Sequence, residues 1–450
     1  MSENLKISVS GIRGIIGKKD GLTPELVVRF GSAFGSFCEK GKILVGMDTR
    51  PTGVMVKHAL FSGLISAGCD VVDAGVLPTP VVIFLVKNLK MSGGVIITAS
   101  HNPIEWNALK LVHSDGRFLT QNEGKRVLDI FENKKNTSVK WNGLGKINTV
   151  NNEKLFESYM NKIFKEIDLD LICKKKFKVA IDPVNGAGSR FSSLFLKRLG
   201  CNTFSINDKP TGIFGRSPEP VQENLKMLGN FVKKVKADIG FALDPDADRL
   251  AIVDENGNPL GEEYTLALCV NHILSKRKSD VVINQATSLA TEKIAQKFGC
   301  KVFRTKIGEI NVLMGMISHK SIIGGEGNGG VIYPKINTGR DSFVAMALIL
   351  QTMAENNKKI SELKKELPQY QIVKTKIEKE SVNLSVIQSK LKKLFPDGKF
   401  SFLDGIKVIL KDSWVLIRPS NTEPITRIIV EARDKKTVTI LLNKIKSLFF

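Results

Sequence analysis

The chain predicts an α/β protein: three similar α/β domains with mixed sheets flanked by helices, then a smaller C-terminal α+β domain. Three observations predict it. Its 450 residues divide into about three domains at roughly 150 residues each. A unit of short apolar strand, turn, helix and second strand recurs in three places. Near Leu367-Pro368 that alternation gives way to short strands bracketed by two helices.

In the first unit, Lys42–Met47 reads as a strand and Asp48-Thr49-Arg50-Pro51-Thr52-Gly53 as a turn. A helix then runs to about Gly68, with strand Asp70–Val72 beyond it. In the second, Phe177–Ile181 leads through Asp182-Pro183-Val184-Asn185-Gly186-Ala187-Gly188 into a helix reaching Leu199 and a strand Cys201–Ser205. In the third, Val281–Asn284 leads through Ala286-Thr287-Ser288 into a helix reaching Phe298 and a strand Lys301–Arg304. The polar stretch Asn133–Asn152 and the turn cluster Asp254-Glu255-Asn256-Gly257-Asn258-Pro259 mark boundaries. The expected domains are residues 1–150, 151–254, 255–367 and 368–450. The last should hold helix Val382–Phe395, strands Gly405–Leu410, Ser413–Pro419 and Ile425–Ala432, and helix Thr437–Leu448.

A composition of 42% hydrophobic and 25% charged residues is that of a folded soluble protein. The net charge of +22 raises a nucleic-acid reading, but the lysines are spread along the chain in short runs such as Lys174–Lys176. No aromatic-interleaved basic stretch accompanies them, so no nucleic-acid partner is expected. A lysine-rich solvated surface accounts for the charge, with some attraction for a phosphorylated small substrate. The six cysteines form no CxxC pair and signal neither zinc nor a disulfide framework. The start, MSENLKISVSG, has no apolar secretory core, and no apolar run is long enough to span a membrane. A cytoplasmic location without membrane association is the expectation.

Four segments carry chemistry. Residues 98–110 read Thr-Ala-Ser-His-Asn-Pro-Ile-Glu-Trp-Asn-Ala-Leu-Lys, after an apolar strand end at Gly94–Ile97. Short polar residues between a strand and a helix leave N–H groups for an anion, and equally make a helix cap. Asp244-Pro245-Asp246-Ala247-Asp248-Arg249 places carboxylates at i, i+2 and i+4 between apolar strands. Three such carboxylates repel unless a cation sits among them. The loop is no calcium EF-hand, because position six is Arg249 rather than Gly and the flanks read as strands; Mg²⁺ shared with a phosphate suits it better. Gly324-Gly325-Glu326-Gly327-Asn328-Gly329-Gly330 lets backbone approach a ligand, with a carboxylate and an amide for hydroxyls. Arg418-Pro419-Ser420-Asn421-Thr422-Glu423-Pro424 offers a guanidinium and small polar groups to a phosphate. Arg427 lies one strand-face step further on, and Ser10-Gly11-Ile12-Arg13-Gly14 is a weaker arginine turn.

In this order, the serine loop, DPDADR, GEGNGG and RPSNTEP resemble the α-D-phosphohexomutase superfamily: the phosphoglucomutases, phosphomannomutases and phosphoglucosamine mutases. The likeness spans essentially the whole chain, about one motif per domain. It implies three domains of shared α/β topology and a smaller fourth, arranged around a central cleft. It implies that Ser100 is a phosphoserine and that Asp244, Asp246 and Asp248 hold one Mg²⁺, with the serine phosphate as a further ligand. Arg249 matches the arginine beside the metal, and Arg13, His101 and Lys110 match residues around the transferring phosphoryl group. Glu326 matches the reader of sugar hydroxyls, and Arg418, Ser420, Asn421 and Thr422 match the site for the non-reacting phosphate. Asn328, Glu309 and Arg427 join the expected substrate contacts.

Three departures stand out. Asn328 and Gly330 take the places of a common Ser and His, Glu309 stands where many relatives carry His or Asp, and Ala108 replaces a common Gly. The forms Ile307–Val312 and GEGNGGVIYP resemble the branch assigned as phosphoglucosamine mutase. The implied reaction moves a phosphoryl group between O6 and O1 of a hexose through a bound 1,6-bisphosphate, which also serves as activator. Lys110, His101 and Glu309 are the candidate bases, and glucosamine, glucose or mannose phosphate the candidate substrates. The chain is expected to be a monomer or homodimer. The rival of another class, a non-catalytic phosphosugar-binding protein, is disfavoured by the intact serine and aspartates.

Overall fold

The computed structural model describes residues 4–8, 11–133, 135–136, 138–378, 384–419 and 425–449. It divides into two bodies, residues 1–265 with 329–363, and residues 266–328 with 364–450.

The first body holds two mixed sheets. The larger runs in the order Leu5–Ser8, Gly11–Ile15, Trp106–His113, Gly93–Ile97, Gly41–Met47, Cys69–Val76, Ile147–Thr149, with Arg117–Phe118 beside Trp106–His113. Its centre is parallel, and Gly11–Ile15 and Trp106–His113 run antiparallel. Helix Pro24–Phe37 opens on Thr23, whose hydroxyl accepts from Leu26 N, with Pro24 in the first turn. Its face of Val27, Phe30 and Phe34 is fully covered, each ring or branched chain contributing roughly 1.5–3 kcal/mol by burial. Helix Gly53–Ser66 crosses it closely. A Cβ on Gly63 would sit 2.2 Å from Val28 O, so no larger residue fits that crossing. The stretch Asn133–Asn152 is less of a plain connector than its composition predicts. Ile147–Thr149 within it pairs in parallel with Cys69–Val76.

The second sheet orders Asn202–Ser205, Lys178–Asp182, Ile239–Leu243, Leu250–Asp254, the last pair antiparallel. Phe156, Tyr159, Phe191, Phe195 and Phe343 form an aromatic cluster in this body. Tyr159 donates to Asp341, which in turn caps helix Ser342–Asn356 through the N–H groups of Phe343 and Val344.

In the second body, Val302–Thr305, Val281–Asn284 and Ile323–Glu326 are parallel in that spatial order. The C-terminal sheet is antiparallel, ordered Gln371–Glu378, Ile425–Ala432, Ser413–Pro419, Ile406–Leu410, Lys399–Ser401. Helices Leu384–Leu394 and Lys435–Lys446 cover its apolar face with Ile387, Leu391, Val438 and Ile445. Two of these strands, Gln371–Glu378 and Lys399–Ser401, were not expected from the sequence. Both are edge strands with no fully buried side chain, so they carry little apolar alternation. Among the described residues no helix is long and apolar enough to cross a membrane.

Candidate active site

The serine loop differs from its sequence reading. It joins strand Gly93–Ile97 to the antiparallel strand Trp106–His113, not to a helix, so no helix N-terminus is there to receive an anion. Asn102 N donates to Ala99 O at 3.1 Å and Trp106 N to Pro103 O at 3.1 Å, closing two turns that use the break at Pro103. Ser100 sits in the left-handed region at φ +51, which costs a non-glycine residue roughly 1–2 kcal/mol. Its backbone is held from behind. Ser100 N donates to Thr98 Oγ1 at 2.9 Å, and Thr98 Oγ1 donates to Asp48 Oδ2 at 2.6 Å. That conformation aims Ser100 Oγ at Asp244 Oδ2, 3.0 Å away.

The acidic loop turns between the antiparallel strands Ile239–Leu243 and Leu250–Asp254, through Ala247 at φ +56. Gly186 lies against it. A Cβ there would meet Pro245 O at 2.5 Å, so the loop packs on a position only glycine allows. Asp244, Asp246 and Asp248 are at most 1% exposed and each offers an oxygen within 4.8 Å of the others. Each carboxylate is tied to its surroundings through one oxygen, and Asp244 Oδ2 in addition meets Ser100. Asp244 Oδ1 accepts from Asp248 N at 3.1 Å and Arg249 N at 3.2 Å. Asp246 Oδ2 accepts from Lys110 Nζ at 2.6 Å and Thr79 Oγ1 at 2.8 Å. Asp248 Oδ2 accepts from Arg340 Nη2 at 2.5 Å.

The remaining oxygens are different. Asp246 Oδ1 and Asp248 Oδ1 are buried without a hydrogen-bond partner among the described residues, and Asp244 Oδ2 meets the Ser100 hydroxyl. Arg249 Nε stands 3.8 Å from Asp244 Oδ2 and 3.7 Å from Asp248 Oδ1 and bonds neither. Three hard oxygens turned inward beside a hydroxyl fit a small divalent cation and a phosphate. The electrostatics agree. Burial, then Asp248 and Asp246, push the Asp244 carboxyl well above the usual range. Asp246 is also raised by burial, but Lys110 and Thr79 outweigh this and hold it low. Without a cation one carboxyl keeps its proton beside an ionised neighbour.

Around this centre, Arg13 on strand Gly11–Ile15 donates to Asn102 Oδ1 at 2.7 Å, and burial lowers its pKa. His101 Nδ1 is 3.5 Å from Ser100 Oγ. Burial, then Arg249 and Arg13, hold its imidazole well below the usual range, so it is neutral at pH 7. Arg249 Nη1 reaches Glu219 at 3.2 Å. The first body thus gathers Ser100, His101, Lys110, Arg13, Arg249 and the three aspartates.

The other expected residues lie in the second body. Glu326, 3% exposed, ends strand Ile323–Glu326; its Oε1 accepts from Asn284 Nδ2 at 2.8 Å and Gly308 N at 2.9 Å. Asn328 Nδ2 lies 3.4 Å from Glu326 Oε2. Glu309 opens helix Glu309–Ser318 directly after Gly308. Arg418 Nε donates to Asp404 Oδ1 at 2.7 Å, and Asp404 Oδ2 accepts from Ile307 N at 2.9 Å. Arg418 and Arg427 are register partners on adjacent strands, with Arg427 exposed. Ser420, Asn421 and Thr422 fall outside the described residues, as does Ser10.

The sequence reading missed Asp48, Arg50, Thr79, Thr98 and Arg340. Asp48 and Arg50 had a signal, since they follow a buried strand as Asp244 does. Thr79 and Arg340 stand far along the chain from the groups they hold and carried none.

A hydroxyl aimed into a cluster of buried carboxylates and cations, on α/β domains, defines an enzyme fitted to phosphoryl transfer. Four family models match the chain in order. Phosphoglucomutase/phosphomannomutase α/β/α domains I, II and III match residues 4–138, 157–257 and 261–370, and the C-terminal domain matches 353–447. The chain belongs to this family, within the α-D-phosphohexomutase superfamily, and is an isomerase that acts as a phosphohexomutase. It is 38% identical over 434 residues to the phosphoglucomutase/phosphomannomutase of Thermococcus kodakarensis, covering 95% of this chain and 94% of that one. It is 35% identical over 446 residues to the phosphoglucosamine/phosphogalactosamine mutase of Sulfurisphaera tokodaii, covering 97% of each. The fold is that of a phosphoglucomutase/phosphomannomutase family protein from Burkholderia thailandensis, with a TM-score of 0.85 at 23% identity, covering 100% of this chain and 97% of that one.

Proposed function

We propose that the chain interconverts hexose 6-phosphate and hexose 1-phosphate through a phosphoserine at Ser100 and a bound 1,6-bisphosphate, with glucosamine phosphate as its preferred sugar. The observation that carries the reading is the approach of Ser100 Oγ to Asp244 Oδ2 at 3.0 Å, beside two buried carboxylate oxygens without partners.

In the forward leg the Oγ–P bond of phosphoserine breaks as a bond forms between phosphorus and a sugar hydroxyl oxygen. The hydroxyl's proton passes to a base, and Ser100 Oγ leaves with its electron pair and takes up a proton. In the return leg the other phosphate of the bisphosphate passes back to Ser100. Such transfer depends on positioning and charge neutralisation. Asp244, Asp246, Asp248 and the serine phosphate would hold Mg²⁺, which when bound neutralises charge on the transferring group. Arg249 and Arg13 add positive charge from the protein side, and Lys110 does so while fixed on Asp246. Neutral His101 can accept a proton at pH 7; Lys110 and Glu309 are the other candidate bases. Glu326 and Asn328 would read sugar hydroxyls. Arg418, Arg427 and Ser420–Thr422 would hold the phosphate that is not reacting, with a sugar 1,6-bisphosphate as activator.

The Sulfurisphaera tokodaii relative supports an amino sugar. A second reading, broad phosphomannomutase and phosphoglucomutase activity, is favoured by the Thermococcus kodakarensis relative. Comparing kcat/KM on the 6-phosphates of glucosamine, glucose and mannose decides between them. A clear preference for glucosamine supports the first, and equal values or a preference for mannose the second. No turnover on any of the three refutes both.

A further inference from the structure

Behind the serine loop lies a buried ion pair that touches none of the reacting groups. Arg50 and Asp48 have fully buried side chains, 3.1 Å apart from Nε to Oδ2. They belong to the turn that follows strand Gly41–Met47. The Asp48 carboxylate also accepts from Arg50 N at 2.9 Å and from Thr98 Oγ1 at 2.6 Å. The guanidinium then spends its other donors on one segment. Nη2 donates to Ser100 O at 2.6 Å and Asn102 O at 2.7 Å, and Nη1 donates to Pro103 O at 2.6 Å. Its face stacks on Phe214 at 5.0 Å.

This arrangement is unlike a structural arginine placed at random. Three carbonyls from four consecutive residues, 100 to 103, converge on one planar cation, so their peptide planes are fixed together. The N–H of Ser100 is fixed from the same pair through Thr98. Both sides of a residue in the left-handed region are therefore held by Asp48 and Arg50. The two other α/β units use an arginine in a related way on different targets. Arg216, paired with Asp182 at 2.8 Å, donates to Leu243 O at 2.6 Å, directly before the acidic loop. Arg304 donates to the carbonyls of Asn284, Gln285 and Thr287, none of which bears a reacting group. In the first unit alone the clamped residue is the serine.

We propose that Arg50, set by Asp48, is a positioning residue for the phosphoryl transfer: it holds the Ser100 turn so that Oγ faces the inward carboxylate oxygens. The inference rests on the phosphoserine reading of Ser100. A positioning residue acts on the chemical step and leaves ground-state sugar binding alone, because the bonds of Arg50 go to Asp48 and to the serine turn.

The test uses the full chain with Mg²⁺. The parent is first incubated with glucose 1,6-bisphosphate and its phosphate uptake followed by intact mass. Absence of uptake in the parent would refute the phosphoserine reading itself. R50K keeps the charge but cannot span three carbonyls. T98V is isosteric and cuts only the link from Asp48 to Ser100 N. Misplacing the hydroxyl by about 1 Å should lower kcat and the uptake rate together by ~10–100-fold in R50K, with KM within about twofold. T98V should show the same split at ~3–10-fold, and it carries the test if R50K does not fold. Parental kcat and uptake rate in a folded R50K or in T98V, or a loss confined to KM, would overturn the proposal.

Discussion

The two bodies prepare their charged groups in opposite ways. In the first, the carboxylates of Asp246 and Asp248 are tied by one oxygen each, and Asp246 Oδ1 and Asp248 Oδ1 are buried without partners among the described residues. In the second, Glu326 already accepts from Asn284 and Gly308, and Arg418 is already neutralised by Asp404. The first is unsatisfied without a ligand: its unpartnered buried oxygens carry a cost in stability that a bound cation would relieve. In the second, Glu326 and Arg418 are satisfied by neighbouring backbone and side chains, so a sugar phosphate at them would exchange existing hydrogen bonds for new ones. The difference teaches where rate and where selectivity should reside. Groups of the first body should govern kcat, and groups of the second KM and sugar preference.

Substitutions sharpen or break that division. Ser100→Ala should have the largest effect, abolishing turnover by ~10⁴-fold or more with the fold intact; near-parental rates with added sugar bisphosphate would contradict the donor role. Asp246→Ala should cut kcat by ~10²–10³-fold. A chelator should do the same to the parent, reversibly on adding Mg²⁺, and full activity in chelator would rule the metal out. Arg418→Ala should weaken substrate binding by ~2–4 kcal/mol, seen in KM with kcat less affected. An unchanged KM would place the phosphate elsewhere. Glu326→Gln should alter the ratio of kcat/KM between glucosamine and glucose phosphates by about tenfold, and an unaltered ratio would remove Glu326 from sugar recognition. The smallest effect belongs to a residue outside both sites. Thr120 and Glu123 form a reciprocal cap on helix Gln121–Glu132, so Thr120→Ala should lower unfolding free energy by about 1 kcal/mol. Its kcat and KM should not change.

Much of this was legible in the chain. The three carboxylates at alternate positions between apolar strands were legible as one buried group, and the structure brings an oxygen of each within 4.8 Å of the others. The serine loop was legible as a polar segment leaving a buried strand, but its next element was not. Nothing local in Trp106–His113 distinguishes a strand from a short helix, and its pairing with Gly11–Ile15 is a long-range matter. The supports were least visible. Arg340 and Thr79 hold Asp248 and Asp246 across 92 and 167 positions of sequence, and no spacing rule reaches that far. Arg50 could be seen in a turn, but its hydrogen bonds to three carbonyls depend on a backbone conformation the sequence does not spell out.

The most direct measurement is site-resolved phosphate mapping. The purified chain, stripped of phosphate, is incubated with Mg²⁺ and a 1,6-bisphosphate of glucose carrying labelled phosphorus, then digested and sequenced by mass spectrometry. The label should appear on Ser100 and leave again when unlabelled hexose 6-phosphate is added. Label on another residue, or turnover of the sugar with Ser100 never labelled, would contradict the account.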